Sequence, residues 1–137
     1  MTGLTLIQAQ AIVTATLAEA RRNSLKPLVV TVLDARGTAK ALAAEDGTSL
    51  RRGEIAHGKA HGALALGIGS RAIATRAAEQ PTFIAAVTHA AGGALIPVPG
   101  GVLVRDAGGP CWARSACPAT PATMTRRRRW RASRPRD

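Results

Sequence analysis

Three histidines, His57, His61 and His89, are the side chains in this sequence best suited to chemistry. His57 and His61 stand four residues apart within Leu50 to Leu66, a segment of helical periodicity, so a helix would put both rings on one face within reach of a common metal ion. No glutamate completes an H-E-x-x-H arrangement, and the spacing alone fits a partly packed or solvent-facing pair as well. His89 lies in Val87-Thr88-His89-Ala90 ahead of Gly92-Gly93 and reads as a loop residue. Asp34, Glu54 and His89 are the residues from which a hydrolytic set would have to be drawn, but Asp34 already has a role as a turn opener. There is no G-x-S-x-G elbow, Walker A loop or G-x-G-x-x-G fingerprint, and Gly67-Ile68-Gly69 is only a glycine pair before Ser70. Classical hydrolase chemistry has little support, and enzymatic activity stays open. Cys111 and Cys117 have no second cysteine pair and no histidine nearby, so neither a zinc site nor a cytosolic disulfide is expected.

The chain that must position these residues has 137 amino acids, 46% of them apolar and only 2% aromatic, which is room for one modest domain with an aliphatic core. Its net charge of +11 is uneven. Residues 1–110 hold 11 basic and 7 acidic side chains, whereas 111–137 hold 8 and 1, together with both cysteines and both tryptophans but no glycine. This break predicts a domain over 1–110 and a disordered arginine-rich tail over 111–137. No uninterrupted apolar run is long enough to span a bilayer, and the N-terminus lacks the basic and apolar regions of a secretory signal, so a cytoplasmic location is expected.

Thr5 and Gln8 have the spacing of a capping box, and Ala9, Ile12, Val13, Leu17 and Ala20 form an apolar stripe, predicting a helix that ends between Arg22 and Ser24 ahead of Pro27. Leu28 to Leu33 is apolar on both faces and reads as an inner strand. Asp34-Ala35-Arg36-Gly37 then turns the chain into a weaker strand from Thr38 to about Ala44. In the helix over Leu50 to Leu66, Gly58 and Gly62 imply close seating against the sheet. A short helix follows at Ser70 to Ala78. Ala94 to Val98 and Val102 to Arg105 read as strands joined by Pro99-Gly100-Gly101. The order implies an α+β fold with a largely antiparallel sheet. The inner strand needs neighbours on both edges, yet nothing after Arg105 reads as a further strand, because Pro118 and Pro121 break a regular ladder.

The pieces LTLIQAQAIVTATLAEAR, VVTVLDARG, IAHGKAHGALALG, QPTFIAAVTHAAGGALIPVPGGVLV and RDAGG, in this order, resemble the haem-degrading or haem-binding family of GlcG and HbpS type over about Leu4 to Gly109. The C-terminal domain of certain corrinoid adenosyltransferases belongs to the same family. The resemblance implies a single α+β domain in a profilin-like layer arrangement, with a five-stranded antiparallel sheet flanked by helices and here lacking its last strand. It implies a small haem-binding or haem-degrading-like module that takes a small-molecule ligand and forms a homo-oligomer. A corrinoid accessory role and a structural oligomer subunit are the alternatives. Haem would need an axial donor, for which His89 comes first as iron ligand, then His61 and His57. Lys59, Arg71 and Arg105 would meet the propionates, and Phe83, Ile84, Ile96 and Val98 would line the cleft. Lys59 would either face the ligand or tie its helix to a neighbouring loop. Many relatives carry a proline where this chain has Leu103, which leaves the entry into that strand less rigid.

From Cys111 the resemblance stops. Relatives continue there with a Gly- and Val-rich strand of the form V-x-G-A-I-G-V-S-G, an acidic stretch and a final helix. If the codons of Pro110 onward are chosen mostly GC-rich, the phase that starts at the last base of the proline codon spells VLGAVGVSGDTGDNDEAAALAGIAA, which supplies all three. A frameshift is therefore the expected origin of the tail. The run Arg126 to Arg129 with Trp130 and Arg131 looks like a phosphate-binding patch beside a stacking aromatic. Alternating GCG and CGG codons produce such a run without selection, so no biological nucleic-acid role is expected.

Overall fold

The computed structural model describes residues 3–105 and, as backbone, a strand at 111–117. Helix α1 (Leu6–Arg22) carries the expected capping box. The Gln8 amide donates to Thr5 Oγ1 at 3.2 Å and the Thr5 amide donates to Gln8 Oε1 at 2.9 Å, which satisfies two otherwise orphaned donors. Ala9, Ile12, Val13 and Ala20 are its buried face. Beyond it, Arg21 pairs with Glu45 at 3.0 Å, and the same carboxylate accepts the Leu28 amide at 2.8 Å, fixing where the chain enters the sheet.

Strand β1 (Val29–Leu33) is buried at all five positions. It pairs antiparallel with β2 (Ala39–Ala44) across the Asp34–Gly37 turn. There Asp34 Oδ1 accepts the amides of Arg36 at 2.9 Å and Thr38 at 3.0 Å, and Gly37 takes φ +81°. Among the described residues the sheet is antiparallel with four strands in the order β2-β1-β4-β3, where β3 is Gly101–Arg105 and β4 is Cys111–Cys117. The expected α+β class with an antiparallel sheet and flanking helices is present.

Two strands differ from the sequence reading. A strand does follow Arg105: Cys111–Cys117 lies between β1 and β3 and supplies the neighbour that β1 requires. Pro110 and Pro118 flank this segment instead of interrupting it. Positions 113, 115 and 117 stand opposite Leu33, Thr31 and Val29 in the ladder. Conversely, Ala94 to Val98 is not a strand. Pro97 has no amide to give a ladder, and the Ile96 amide donates to the Gly58 carbonyl of a helix at 3.2 Å. Residues 118–137, with the arginine run, lie outside the described residues.

α1 covers one face of the sheet, where Leu28, Val30 and Val32 meet Ala9, Ile12 and Val13. α2 (Arg52–Leu66) covers the other, with Ala56 against Val29 and Ala60 against Leu33. Helices α3 (Ser70–Glu79) and α4 (Pro81–Ala90) form a satellite core in which Ile73, Ile84 and Leu95 are buried together. α4 is an element the sequence reading missed, so His89 stands on the last turn of a helix and not in a loop. The signals were Pro81 at the first turn, where its missing amide costs nothing, and Ile84 and Val87 three apart. Gly92 and Gly93, at φ +70° and +81°, end the turn that follows. No helix among the described residues is long and apolar enough to cross a membrane.

Candidate functional site

α2 organises the candidate residues because each part of its circumference faces a different neighbour. At about 100° per residue, Ala56 and Ala60 point to the sheet, while Gly58 and Gly62 lie roughly a third to nearly half a turn away. A Cβ at Gly58 would stand 2.7 Å from Ile96 Cγ1, and one at Gly62 2.9 Å from Leu95 Cγ. The two glycines therefore seat the 94–96 segment, not the sheet as their spacing had implied. Gly101 serves a similar close approach: a side chain there would overlap the Lys59 carbonyl, and its amide donates to the buried Ser70 Oγ at 2.7 Å. In the Pro99-Gly100-Gly101 turn only Gly100, at φ +131°, has a left-handed backbone.

The remaining side of α2 carries His57 and His61. Their rings stack with centroids 5.6 Å apart and planes inclined by 21°. Both are half-buried. His61 sits between two segments that sequence alone did not connect to it. Its Nδ1 lies 2.9 Å from the Ala94 carbonyl oxygen, which can only accept, so Nδ1 carries the proton and Nε2 the lone pair in the neutral ring. On the other side, a Cβ at Gly37 would come within 3.0 Å of His61 Cδ2 and 3.3 Å of Nε2, so the glycine leaves that edge of the ring uncovered by a side chain. Burial first, and the neighbouring His61 second, hold His57 below its ordinary pKa and favour the neutral imidazole.

Asp34, beneath the same turn, is also shifted. Burial pushes its carboxyl up, but the amides of Thr38 and Arg36 and the Arg36 guanidinium together outweigh burial and leave it below its usual value. Its oxygens are committed to the turn, so it acts as the expected turn opener.

The other predicted residues do not converge on the histidine pair. Lys59 lies about half a turn round α2 from it and is buried, at 3% exposure. Arg105 is exposed and donates to the Gly67 carbonyl at 3.4 Å, at the far end of α2. His89 is exposed, and among the described residues its ring has no hydrogen bond or ion pair. Of the apolar residues, Ile84 is in the satellite core and Ile96 packs on Gly58, while Phe83 and Val98 are 45% and 47% exposed. A groove of about 430 Å³ lies elsewhere, between α1 and β2, lined by Leu6, Gln10, Val13 and Lys40 among others, and it offers no imidazole. No cluster of three or more metal-ligating side chains occurs among the described residues.

Comparison with known proteins places this architecture. The model of the haem degrading protein HbpS-like family matches residues 4–113. The chain belongs to this family. Among solved structures, HbpS of Streptomyces reticuli, in a double-mutant form, is 24% identical with a TM-score of 0.72, covering 87% of this chain and 77% of its own. Klebsiella pneumoniae protein ORFY is 21% identical with a TM-score of 0.76, covering 88% and 81%. PduOC, solved as a haem complex, is 19% identical with a TM-score of 0.75, covering 87% and 85%. At these identities the structures speak for the fold. No curated protein matches the chain.

Proposed function

We propose that the chain is a small haem-binding module of the HbpS-like family in which His61 is the axial donor. The observation that carries this reading is the bond from His61 Nδ1 to the Ala94 carbonyl, which fixes the ring and leaves Nε2 as the ligating atom. His89, first on residue type and neighbours, has no comparable support for its ring among the described residues. Haem supplies iron-centred redox and oxygen chemistry when bound; the residues of this chain would hold and orient it. The test is titration of the full chain with haemin. A saturable Soret shift retained in His89→Gln and lost in His61→Gln supports the assignment. No saturable shift refutes it, and displacement of haemin by cobalamin would select the corrinoid alternative.

The displaced reading phase belongs to the same proposal. The family match ends at Ala113, three residues into β4. In register, position 114 stands opposite Val32 of β1, which is fully buried, and opposite Val102 of β3. The sequence puts an arginine there, where the alternative phase puts an alanine within Val-Leu-Gly-Ala-Val-Gly-Val over 111–117. An inner strand favours the second. Nucleotides across Pro110 that cannot encode the alternative phase would overturn this part of the proposal.

A further inference from the structure

The geometry points to a chelating site for one divalent transition-metal ion at His57 and His61, which takes His61 Nε2 when no haem occupies it. A haem iron would take at most one imidazole on each side of the porphyrin, so two rings stacked on one helix face cannot both bind the same haem iron. A free ion with adjacent coordination positions can take both. Metal–nitrogen bonds of about 2.0–2.1 Å at a tetrahedral or octahedral centre need the two ligating nitrogens only about 3 Å apart. Rings one helical turn apart, with centroids 5.6 Å apart, can converge on one ion when the side chains rotate toward each other.

Two features prepare the pair as ligands. His61 donates Nδ1–H to Ala94 O, the outer bond that sets the tautomer and raises the basicity of a metal-bound imidazole. Gly37 puts no side chain against His61 Nε2. With no third His, Cys, Asp or Glu grouped with them among the described residues, the remaining positions go to water. Two nitrogens and water suit copper(II), nickel(II), zinc or cobalt(II), and exclude tight binding of magnesium or calcium, which want oxygen.

The experiment is titration of the tag-free full chain with nickel, zinc and copper salts by calorimetry, together with electron paramagnetic resonance of the copper(II) form. We expect one ion per chain, affinity higher for copper than for nickel or zinc, and coupling from two imidazole nitrogens. His57→Gln and His61→Gln should each lower nickel affinity at least tenfold, with His89→Gln unchanged. Nickel should raise the melting temperature of the parent and of His89→Gln but not of the other two. Unchanged affinity in either α2 variant, equal loss in His89→Gln, or one or no coupled nitrogen overturns the site. The spectrum of the parent decides the matter even where a variant fails to fold. No haem is present, so failure here leaves the haemin titration standing, and failure of that titration leaves this site standing.

Discussion

Replacing Gly101 by alanine should destabilise the domain more than any other single methyl group added to its glycines. The new Cβ would overlap the Lys59 carbonyl oxygen and come within 2.7 Å of the carbonyl carbon. Both obstacles are backbone in the middle of α2, so no rotamer change can clear them. β3 must move away from the helix, and the buried 2.7 Å bond from the Gly101 amide to Ser70 Oγ stretches with it. Overpacking costs about 1–3 kcal/mol, and leaving a buried donor unsatisfied costs about 1–3 kcal/mol more. The expected loss is therefore about 2–6 kcal/mol, against a total stability of about 5–15 kcal/mol for a domain of this kind. Urea unfolding followed by circular dichroism measures it from the midpoint at constant slope. Ser70→Ala isolates the hydrogen-bond share and should cost less. At Gly58 the nearest obstacles to a Cβ are Ile96 side-chain atoms at 2.7 and 2.9 Å, which can rotate away, so Gly58→Ala should cost less than Gly101→Ala. A Gly101→Ala protein within about 1 kcal/mol of the parent would refute the claim that strand and helix touch backbone to backbone here.

Other outcomes follow from single contacts. Thr31 Oγ1 is buried without a hydrogen-bond partner among the described residues, so Thr31→Val should raise stability by about 1–2 kcal/mol in the same urea assay. His57 has its folded pKa lowered, so the unfolded chain binds the proton more readily; its contribution is present above the ordinary histidine pKa and is lost as pH falls through the range just below it. The melting temperature should drop over that interval, and His57→Gln should flatten the profile. Asp34 has its carboxyl lowered as well, so its contribution holds above the ordinary aspartate range and fades as pH falls through the folded value. Asp34→Ala, which removes both accepted amides, should cost about 2–4 kcal/mol and lower nickel affinity through Gly37. A chain rebuilt in the alternative phase after Pro110 should unfold at higher urea than the chain as written, and equal midpoints would count against the displaced phase.

What the sequence made legible was local. Thr5 with Gln8, the β-branched and aliphatic run Val29–Leu33 and the Asp34–Gly37 turn each carry their cause within a few residues, and each stands in the structure as expected. The Ala94–Val98 segment was misread because its aliphatic composition matches a strand, whereas its fate is set by two glycines more than thirty residues earlier that let Ile96 reach the Gly58 carbonyl. β4 was misread for the opposite reason: its composition is poor for a strand, and β1 and β3 impose the conformation from either side. At the histidines, spacing was enough to place two rings together. It could not supply Ala94 or Gly37, which reach His61 only through the tertiary fold.

The dependence of the histidine pair on distant glycines follows from the way α2 is held. Small residues let it be approached closely on separate sides: Ala56 and Ala60 by the sheet, Gly58 and Gly62 by Leu95 and Ile96, and the Lys59 backbone by Gly101. A helix clamped in this way has little freedom to rotate or slide. Its uncovered arc, where His57 and His61 stack, is then fixed relative to both the Asp34–Gly37 turn and the Ala94 carbonyl. Leu95, seated on Gly62, is the residue next to Ala94, so the contact that positions the helix also aims the acceptor that sets the tautomer of His61. Helix position and the His61 tautomer are coupled through one peptide unit. A larger residue at Gly62 would therefore change the chemistry of His61 by way of Leu95 and Ala94.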